Sequence, residues 1–267
     1  MNYKFLADTN LQIPEIGLGT WNYSGGTDPL KKGIDMGANF IDTAEGYYTE
    51  DIVGKAIKGR RKEVVIATKV SGRNLAHDDV LRSAERSLEK LQSGYIDLYQ
   101  IHWPNPVHPI RETMSALQKL VDRGLVQYIG VSNFSVEEMK EAQHFLPHSR
   151  IVSNQVLYNL NSRGIENELL PFCMSRNITV LAYTPLDSGA LCRVPGRFGR
   201  GKYKVLSKIA EEVGSTMGQV ALNWCICHEN VVAIPKSDSV ERTTENCLSS
   251  GWYLEDEQIE GLNNAFS

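Results

Sequence analysis

Val64-Val65-Ile66-Ala67-Thr68-Lys69 opens with four consecutive apolar residues and closes on a lysine. An uninterrupted apolar run of this length suits a strand buried on both faces, as strands of parallel sheets are. Beyond it, Val80, Ala84, Leu88 and Leu91 recur at helical spacing with charged residues between them. Ile96–Ile101 is then a second candidate strand, ending against His102. Strand, helix and strand in that order make the repeating unit of a parallel α/β fold.

The unit repeats in both directions along the chain. Candidate strands are Glu15–Gly19, Asn39–Asp42, Val64–Lys69, Ile96–Ile101, Val126–Val131, Ser153–Val156, Thr179–Tyr183 and Val231–Ile234. A short hairpin is expected around Lys4 to Ile13 and a final helix over Asp256–Ala265. Between the strands lies helix punctuation, such as Asp28-Pro29 as N-cap and first-turn residues and Gly37 just past the end. Eight runs predict a (β/α)8 TIM barrel of the α/β class. No Pro/Gly/Ser-rich linker or charge run divides the chain, so residues 1–267 are expected to form one domain.

A polar or ionisable residue stands at the end of one candidate strand after another: Asp42, Lys69, His102, Asn133, Gln155, Tyr183 and Lys236. A parallel barrel collects the carboxyl ends of its strands on one face, where barrel enzymes carry their chemistry. Residues scattered over the chain would therefore share one rim.

Composition narrows the class. The chain has 267 residues, 42% hydrophobic content and a formal charge of -4, which suits a water-soluble protein with a full core. No apolar run approaches a membrane span, and Met1-Asn2-Tyr3-Lys4-Phe5 lacks a secretory segment, so a cytoplasmic location without membrane attachment is expected. The triplets at Asn22, Asn133 and Asn177 then carry no glycosylation signal. A pI of about 5.9 gives no reason to expect nucleic acid as a partner. The five cysteines, Cys173, Cys192, Cys225, Cys227 and Cys247, have no CxxC pair and read as reduced, buried packing groups. Among six histidines there is no HExxH or comparable cluster, so no metal is expected.

Two glycine-rich segments imitate nucleotide-binding loops. Gly17-Leu18-Gly19 has Asn22 where a dinucleotide fingerprint needs its third glycine. Gly196-Arg197-Phe198-Gly199-Arg200-Gly201-Lys202 has the glycine and lysine spacing of a P-loop, but Tyr203 replaces the hydroxyl that would hold magnesium. It reads as a flexible basic loop, and its position after the Tyr183 strand leaves open a role in covering a ligand.

Three motifs, Asp42-Thr43-Ala44-Glu45-Gly46-Tyr47, Ala67-Thr68-Lys69 and Ile101-His102-Trp103-Pro104, resemble the aldo-keto reductase family. The resemblance continues in family order through Gly130-Val131-Ser132-Asn133-Phe134, Asn154-Gln155-Val156, Tyr183-Thr184-Pro185-Leu186 and Ile234-Pro235-Lys236-Ser237. It implies reduction of an aldehyde or ketone to the alcohol. Tyr47 would be the general acid, Lys69 the cation that lowers its pKa, Asp42 the partner of Lys69, and His102 the group that orients the carbonyl. Carbonyl reduction places charge on oxygen as hydride arrives, so a proton donor with nearby electrostatic support is chemically apt. Tyr48 follows Tyr47 directly, so sequence spacing alone does not identify the acid; the resemblance favours Tyr47, which has the family's spacing from Asp42.

No side chain delivers hydride, so a nicotinamide cofactor is implied. By resemblance Tyr183 would stack on the nicotinamide, while Ser132, Asn133 and Gln155 would bond its carboxamide, with Thr184 and Leu186 beside them. Lys236, Ser237 and Arg242 would take an adenosine 2′-phosphate, with Glu245 and Asn246 near the adenine, which implies NADP(H). Trp21, Tyr48 and Trp103 are candidate substrate-binding aromatics, with core packing the alternative for the two tryptophans.

The chain departs from the pattern at Thr184, where serine is common, and at Asn159-Leu160, where some relatives carry His-Pro. With its end at Ser267, an open substrate pocket is expected. The expected partner is a small carbonyl substrate, the chain being a monomer or weak oligomer. The alternative is a cofactor-binding regulatory protein resembling potassium-channel β subunits, and a third is another chemistry on the barrel scaffold.

Overall fold

Period-two alternation along each strand builds this molecule from two nested cores. The computed structural model describes residues 1–195 and 200–267. A two-stranded hairpin, β1 (Tyr3–Phe5) and β2 (Gln12–Pro14), precedes eight parallel strands: β3 (Leu18–Gly19), β4 (Phe40–Asp42), β5 (Val65–Val70), β6 (Ile96–Ile101), β7 (Val126–Ser132), β8 (Ile151–Leu157), β9 (Thr179–Tyr183) and β10 (Val231–Ala233). Each of the eight pairs with its sequence neighbour, from β3 through to β10.

The sheet closes on itself where the first and last strands meet. Ile16 bridges Ala233 and Gly19 bridges Lys236 in parallel sense, with Gly17 N–H donating to the Ala233 carbonyl at 2.8 Å and Gly19 N–H to the Pro235 carbonyl at 3.0 Å. A Cβ on Gly19 would lie 2.7 Å from the Ile234 carbonyl oxygen, so glycine is what lets the seam come together. The predicted first strand, Glu15–Gly19, is thus half strand and half seam.

Helices fill the connections: α1 (Asp28–Asp35), α2 (Glu50–Ala56), α3 (His77–Leu91), α4 (Ile110–Asp122), α5 (Val136–His144), α6 (Leu169–Ser175), α7 (Arg200–Glu212), α8 (Met217–Ile226), α9 (Val240–Cys247) and α10 (Asp256–Ala265). Capping boxes fix the starts of α5, α8 and α10, Ser135 with Glu138, Thr216 with Gln219 and Glu255 with Gln258. The N-cap of α1 is Thr27, one residue before the expected Asp28; Asp28 and Pro29 lie inside the first turn, where the carboxylate complements the helix dipole.

Leu6 and Ile13 from the hairpin join Phe40, Val65, Ala67, Leu98, Leu181, Val232 and Ile234 in the core inside the barrel. The alternate residues, among them Ile41, Ile66, Tyr99, Ile101, Val180 and Ala182, face the helices in the larger outer core. The hairpin plugs the amino-terminal end: Lys4 Nζ donates to the carbonyls of Ile226, His228 and Val231, and Ala7 N–H to Thr179 Oγ1. Chemistry is left to the opposite end.

Cys173, Cys225 and Cys247 are buried as expected, whereas Cys192 is exposed and Cys227 half-buried; all are free thiols. Burial pushes the Cys173 thiol up to about 12, so it is a packing group. Of the P-loop-like segment, Gly196 to Gly199 lie outside the described residues. Tyr203 is buried in α7 and its hydroxyl accepts from Asn161 Nδ2 at 3.1 Å. Among the described residues no helix is long and apolar enough to cross a membrane.

Candidate active site

The inward parity of the strands carries straight into the rim. Phe40 leads to Asp42, Ala67 to Lys69, Leu98 and Gln100 to His102, Leu181 to Tyr183, and Ile234 to Lys236, each two residues further on. A strand that fills the barrel with apolar side chains therefore ends by pointing a polar one into its mouth.

Lys69, with no exposed side-chain surface, donates to both Asp42 oxygens at 2.9 and 2.8 Å and to the Thr43 carbonyl at 2.8 Å. An ammonium has three protons, and all three are used. Gln155 Nε2 donates to Asp42 Oδ1 at 2.7 Å, joining β8 to this pair across 113 positions of sequence. Burial pulls the Lys69 pKa down and the adjoining Asp42 carboxylate opposes it, opposite charges this close offsetting part of each other's desolvation.

Tyr47 lies on the short 3-10 turn Glu45–Tyr47 that follows β4. The Glu45 carboxylate ties that turn to the segment after β5, accepting from Ser71 N–H at 2.6 Å and Asn74 Nδ2 at 2.9 Å. Beneath it Thr20, Thr43 and Thr49 link hydroxyl to hydroxyl at 3.0 and 2.9 Å, and Thr20 donates to the Asp42 carbonyl. Sequence reading missed these four residues; only the acid beside the tyrosine in Glu45-Gly46-Tyr47 was a visible signal.

Tyr47 Oη is 3.3 Å from His102 Nε2, with the two rings edge to face at 5.2 Å. Lys69 Nζ lies 4.8 Å from the centre of the Tyr47 ring. Burial, then Lys69, brings the His102 imidazole down to about 4, so it is neutral near pH 7. Burial, then the Asp42 carboxylate, pushes the phenol well above its ordinary value. The phenol keeps its proton across the physiological range.

Beside this group, Asn133 adopts a left-handed backbone, φ 62°. Its Nδ2 donates to the His102 carbonyl at 3.1 Å and to Ser132 Oγ at 3.0 Å, and its Oδ1 accepts from Tyr183 Oη at 3.0 Å. Ser132 Oγ donates to the Gln155 carbonyl at 2.9 Å. Thus Asp42, Tyr47, Lys69, His102, Ser132, Asn133, Gln155 and Tyr183 form one connected constellation. The half-buried Tyr183 ring is held by its hydroxyl and packs on the inner core. Thr184, φ 51°, turns the chain away, its carbonyl accepting from Asn159 Nδ2, and the half-buried Leu186 packs on the outer core.

The remaining candidates gather at the β10–α9 connection. Ser237 and Asn246 line one cleft with Gly19, Leu30, Pro235 and Thr243. Lys236 is ion-paired with Asp238, which also accepts from Ser24 N–H at 2.8 Å. Arg242 is exposed in the first turn of α9, whose cap is Ser239. Glu245 instead accepts from Thr216 Oγ1 at 2.7 Å, tying α9 to the start of α8. Cations, a hydroxyl and a helix start suit a phosphate group. At the mouth, Trp21, Tyr48 and Trp103 are 59%, 80% and 52% exposed, so the tryptophans are not core residues.

Residues 15–265 match the model of the aldo/keto reductase family. The chain belongs to that family. It is accordingly an oxidoreductase. It is similar to methylglyoxal reductase YeaE of Escherichia coli K12, 34% identical over 269 residues that cover 96% of this chain and 92% of the relative. Among solved structures, a thermostable aldo-keto reductase in complex with the inhibitor epalrestat superposes with a TM-score of 0.92 at 40% identity, covering 99% of this chain and all of that one. The aldo/keto reductase of Klebsiella pneumoniae in complex with NADP and acetate gives 0.89 at 35% identity, covering 100% and 96%. Eight parallel strands with intervening helices and an N-terminal hairpin are thus the family's barrel.

Proposed function

We propose that this protein reduces a small aldehyde or ketone to its alcohol with NADPH, Tyr47 giving the proton. The observation that carries the reading is the Tyr47 hydroxyl, 3.3 Å from a neutral His102 and set above the buried Lys69–Asp42 pair. The cofactor, when bound, supplies the hydride. Ser132, Asn133 and Gln155 offer amide and hydroxyl groups for its carboxamide, Tyr183 a ring face, and Lys236, Ser237 and Arg242 cations and a hydroxyl for a 2′-phosphate.

Within that frame each residue has a stated task. Neutral His102 and the phenol of Tyr47 converge on one point, where both can donate to a carbonyl oxygen and fix its direction. As that oxygen becomes negative it turns into a far stronger base than a phenolate, so a phenol with a raised pKa still protonates it. Lys69 then acts by its field on the developing charge rather than by ionising Tyr47 beforehand. Asp42 holds Lys69 in place, and Gln155 and the threonines hold Asp42. Similarity to a methylglyoxal reductase makes methylglyoxal the first substrate to try.

The test is NADPH oxidation by the purified protein with methylglyoxal and with an aromatic aldehyde, beside Tyr47→Phe. Loss of a general acid costs about 10²–10⁴-fold in turnover. NADPH affinity should stay within about threefold, since Tyr47 donates to substrate and not to cofactor. Equal turnover by Tyr47→Phe would remove Tyr47 from the chemistry; NADPH binding without turnover of any carbonyl would favour a regulatory, cofactor-sensing role.

A further inference from the structure

We propose that Tyr48 is a specificity-determining residue that lays its ring against carbonyl substrates bearing an apolar ring; the inference rests on the reductase reading above. Tyr48 ends the 3-10 turn in the left-handed conformation, φ 58° and ψ 29°. A turn that closes this way is served without steric cost by glycine, and next best by asparagine or aspartate, whose short polar side chains bond locally. Tyrosine has neither advantage.

Among the described residues nothing recovers that cost by packing, because Tyr48 is 80% exposed. Its neighbours turn the other way: Tyr47 reaches His102, and Thr49 is buried against Thr20 and Thr43. The left-handed step therefore sends Tyr47 and Thr49 inward and leaves the Tyr48 ring standing at the mouth. Backbone strain kept beside a reactive group, with an unburied aromatic on it, points to a contact made only with ligand.

The surroundings agree. Trp21 follows β3 and Trp103 follows β6, and both large rings are also more than half exposed at the carboxyl end of the barrel. Single exposed aromatics are ordinary, but three from separate strand ends at one mouth furnish an apolar surface for a ligand. A substrate whose carbonyl sits at Tyr47 and His102 must project its other end past this rim. A flat apolar ring would meet Tyr48 edge to face or offset, whereas methylglyoxal is too short to do so.

The experiment compares Tyr48→Gly and Tyr48→Phe with wild type, measuring kcat/KM for 2-naphthaldehyde and for methylglyoxal. The ratio of the two should fall at least fivefold in Tyr48→Gly, mostly through KM for the naphthyl substrate, and be kept within about twofold in Tyr48→Phe. The thermal midpoint of Tyr48→Gly should be no lower than that of wild type, since glycine suits the turn; a merely structural tyrosine would lower it and depress both substrates alike. An unchanged ratio in Tyr48→Gly, with wild type active, overturns this inference alone. Absence of wild-type turnover overturns it together with the reductase reading.

Discussion

Replacing Lys69 by Met leaves the Asp42 carboxylate, only 3% exposed, with Gln155 Nε2 as its one remaining partner of the two side chains it now bonds. Breaking a buried pair from one side costs about 3–5 kcal/mol, because the surviving charge stays desolvated. For a chain of this length about 2 °C of melting temperature corresponds to each kcal/mol, so the midpoint should fall by about 6–10 °C. Asp42→Leu strands the ammonium with the Thr43 carbonyl and should cost a similar amount. In the double variant both charges are gone. What is then left unmet is the Gln155 amide and the Thr43 carbonyl, at about 1–3 kcal/mol each. The double variant should therefore be about as stable as either single one, with a coupling of about 3 kcal/mol or more from the cycle. Urea unfolding of the four proteins at pH 7.5 reads this directly. NADPH-dependent turnover should stay lost in all three variants, separating the chemistry of the pair from its contribution to stability. Additivity of the two single losses within about 0.5 kcal/mol would refute the reasoning.

Two more outcomes follow from the site's electrostatics. His102 has a folded pKa of about 4, below the ordinary 6.5, so its contribution to stability is fully present above pH 6.5 and is lost as pH falls toward 4; between pH 7 and 4 wild type should lose about 2–3 kcal/mol more than His102→Asn in urea unfolding, and parallel losses would refute the assignment. Arg242→Ala removes an exposed cation from the start of α9 and should weaken NADPH about 5–30-fold while NADH changes less than about threefold, read by fluorescence titration; equal weakening would place the 2′-phosphate elsewhere.

The barrel and its rim were legible because both come from one local rule. Alternation decides which strand residues face inward, and the last inward residue of a strand has to emerge at the mouth. Val65, Ala67 and Lys69 share that parity, as do Leu98, Gln100 and His102, so the site could be read wherever an apolar run was followed by a polar residue. Most strand limits shifted by a residue or two, as where Val64–Lys69 became Val65–Val70, while the first strand, expected from Glu15, starts three residues later at Leu18. What could not be read was partnership at long range. Gln155 bonds Asp42 across the barrel mouth, and Thr20 meets Thr49 from another strand end; spacing carries no signal for either contact. Asp238 lay in plain view two residues past Lys236, yet the ion pair that ties up that lysine emerged only from the fold.

The sharpest instance is the pair Tyr47-Tyr48, where spacing alone left the acid undecided between two identical side chains. Backbone geometry separates them. A left-handed φ at Tyr48 turns its ring out to solvent, while Tyr47, one residue earlier, comes within 3.3 Å of His102. The same geometry bears on the part expected of Lys69. A lysine at this place in the sequence suggests a cation that ionises the phenol, but a lysine whose three protons all go to Asp42 and Thr43 has no direct bond to give it. Its charge is matched before the substrate arrives, and the phenol stays protonated. For the reduction proposed above that is the useful state, because an acid that had already lost its proton would have nothing to hand to the alkoxide.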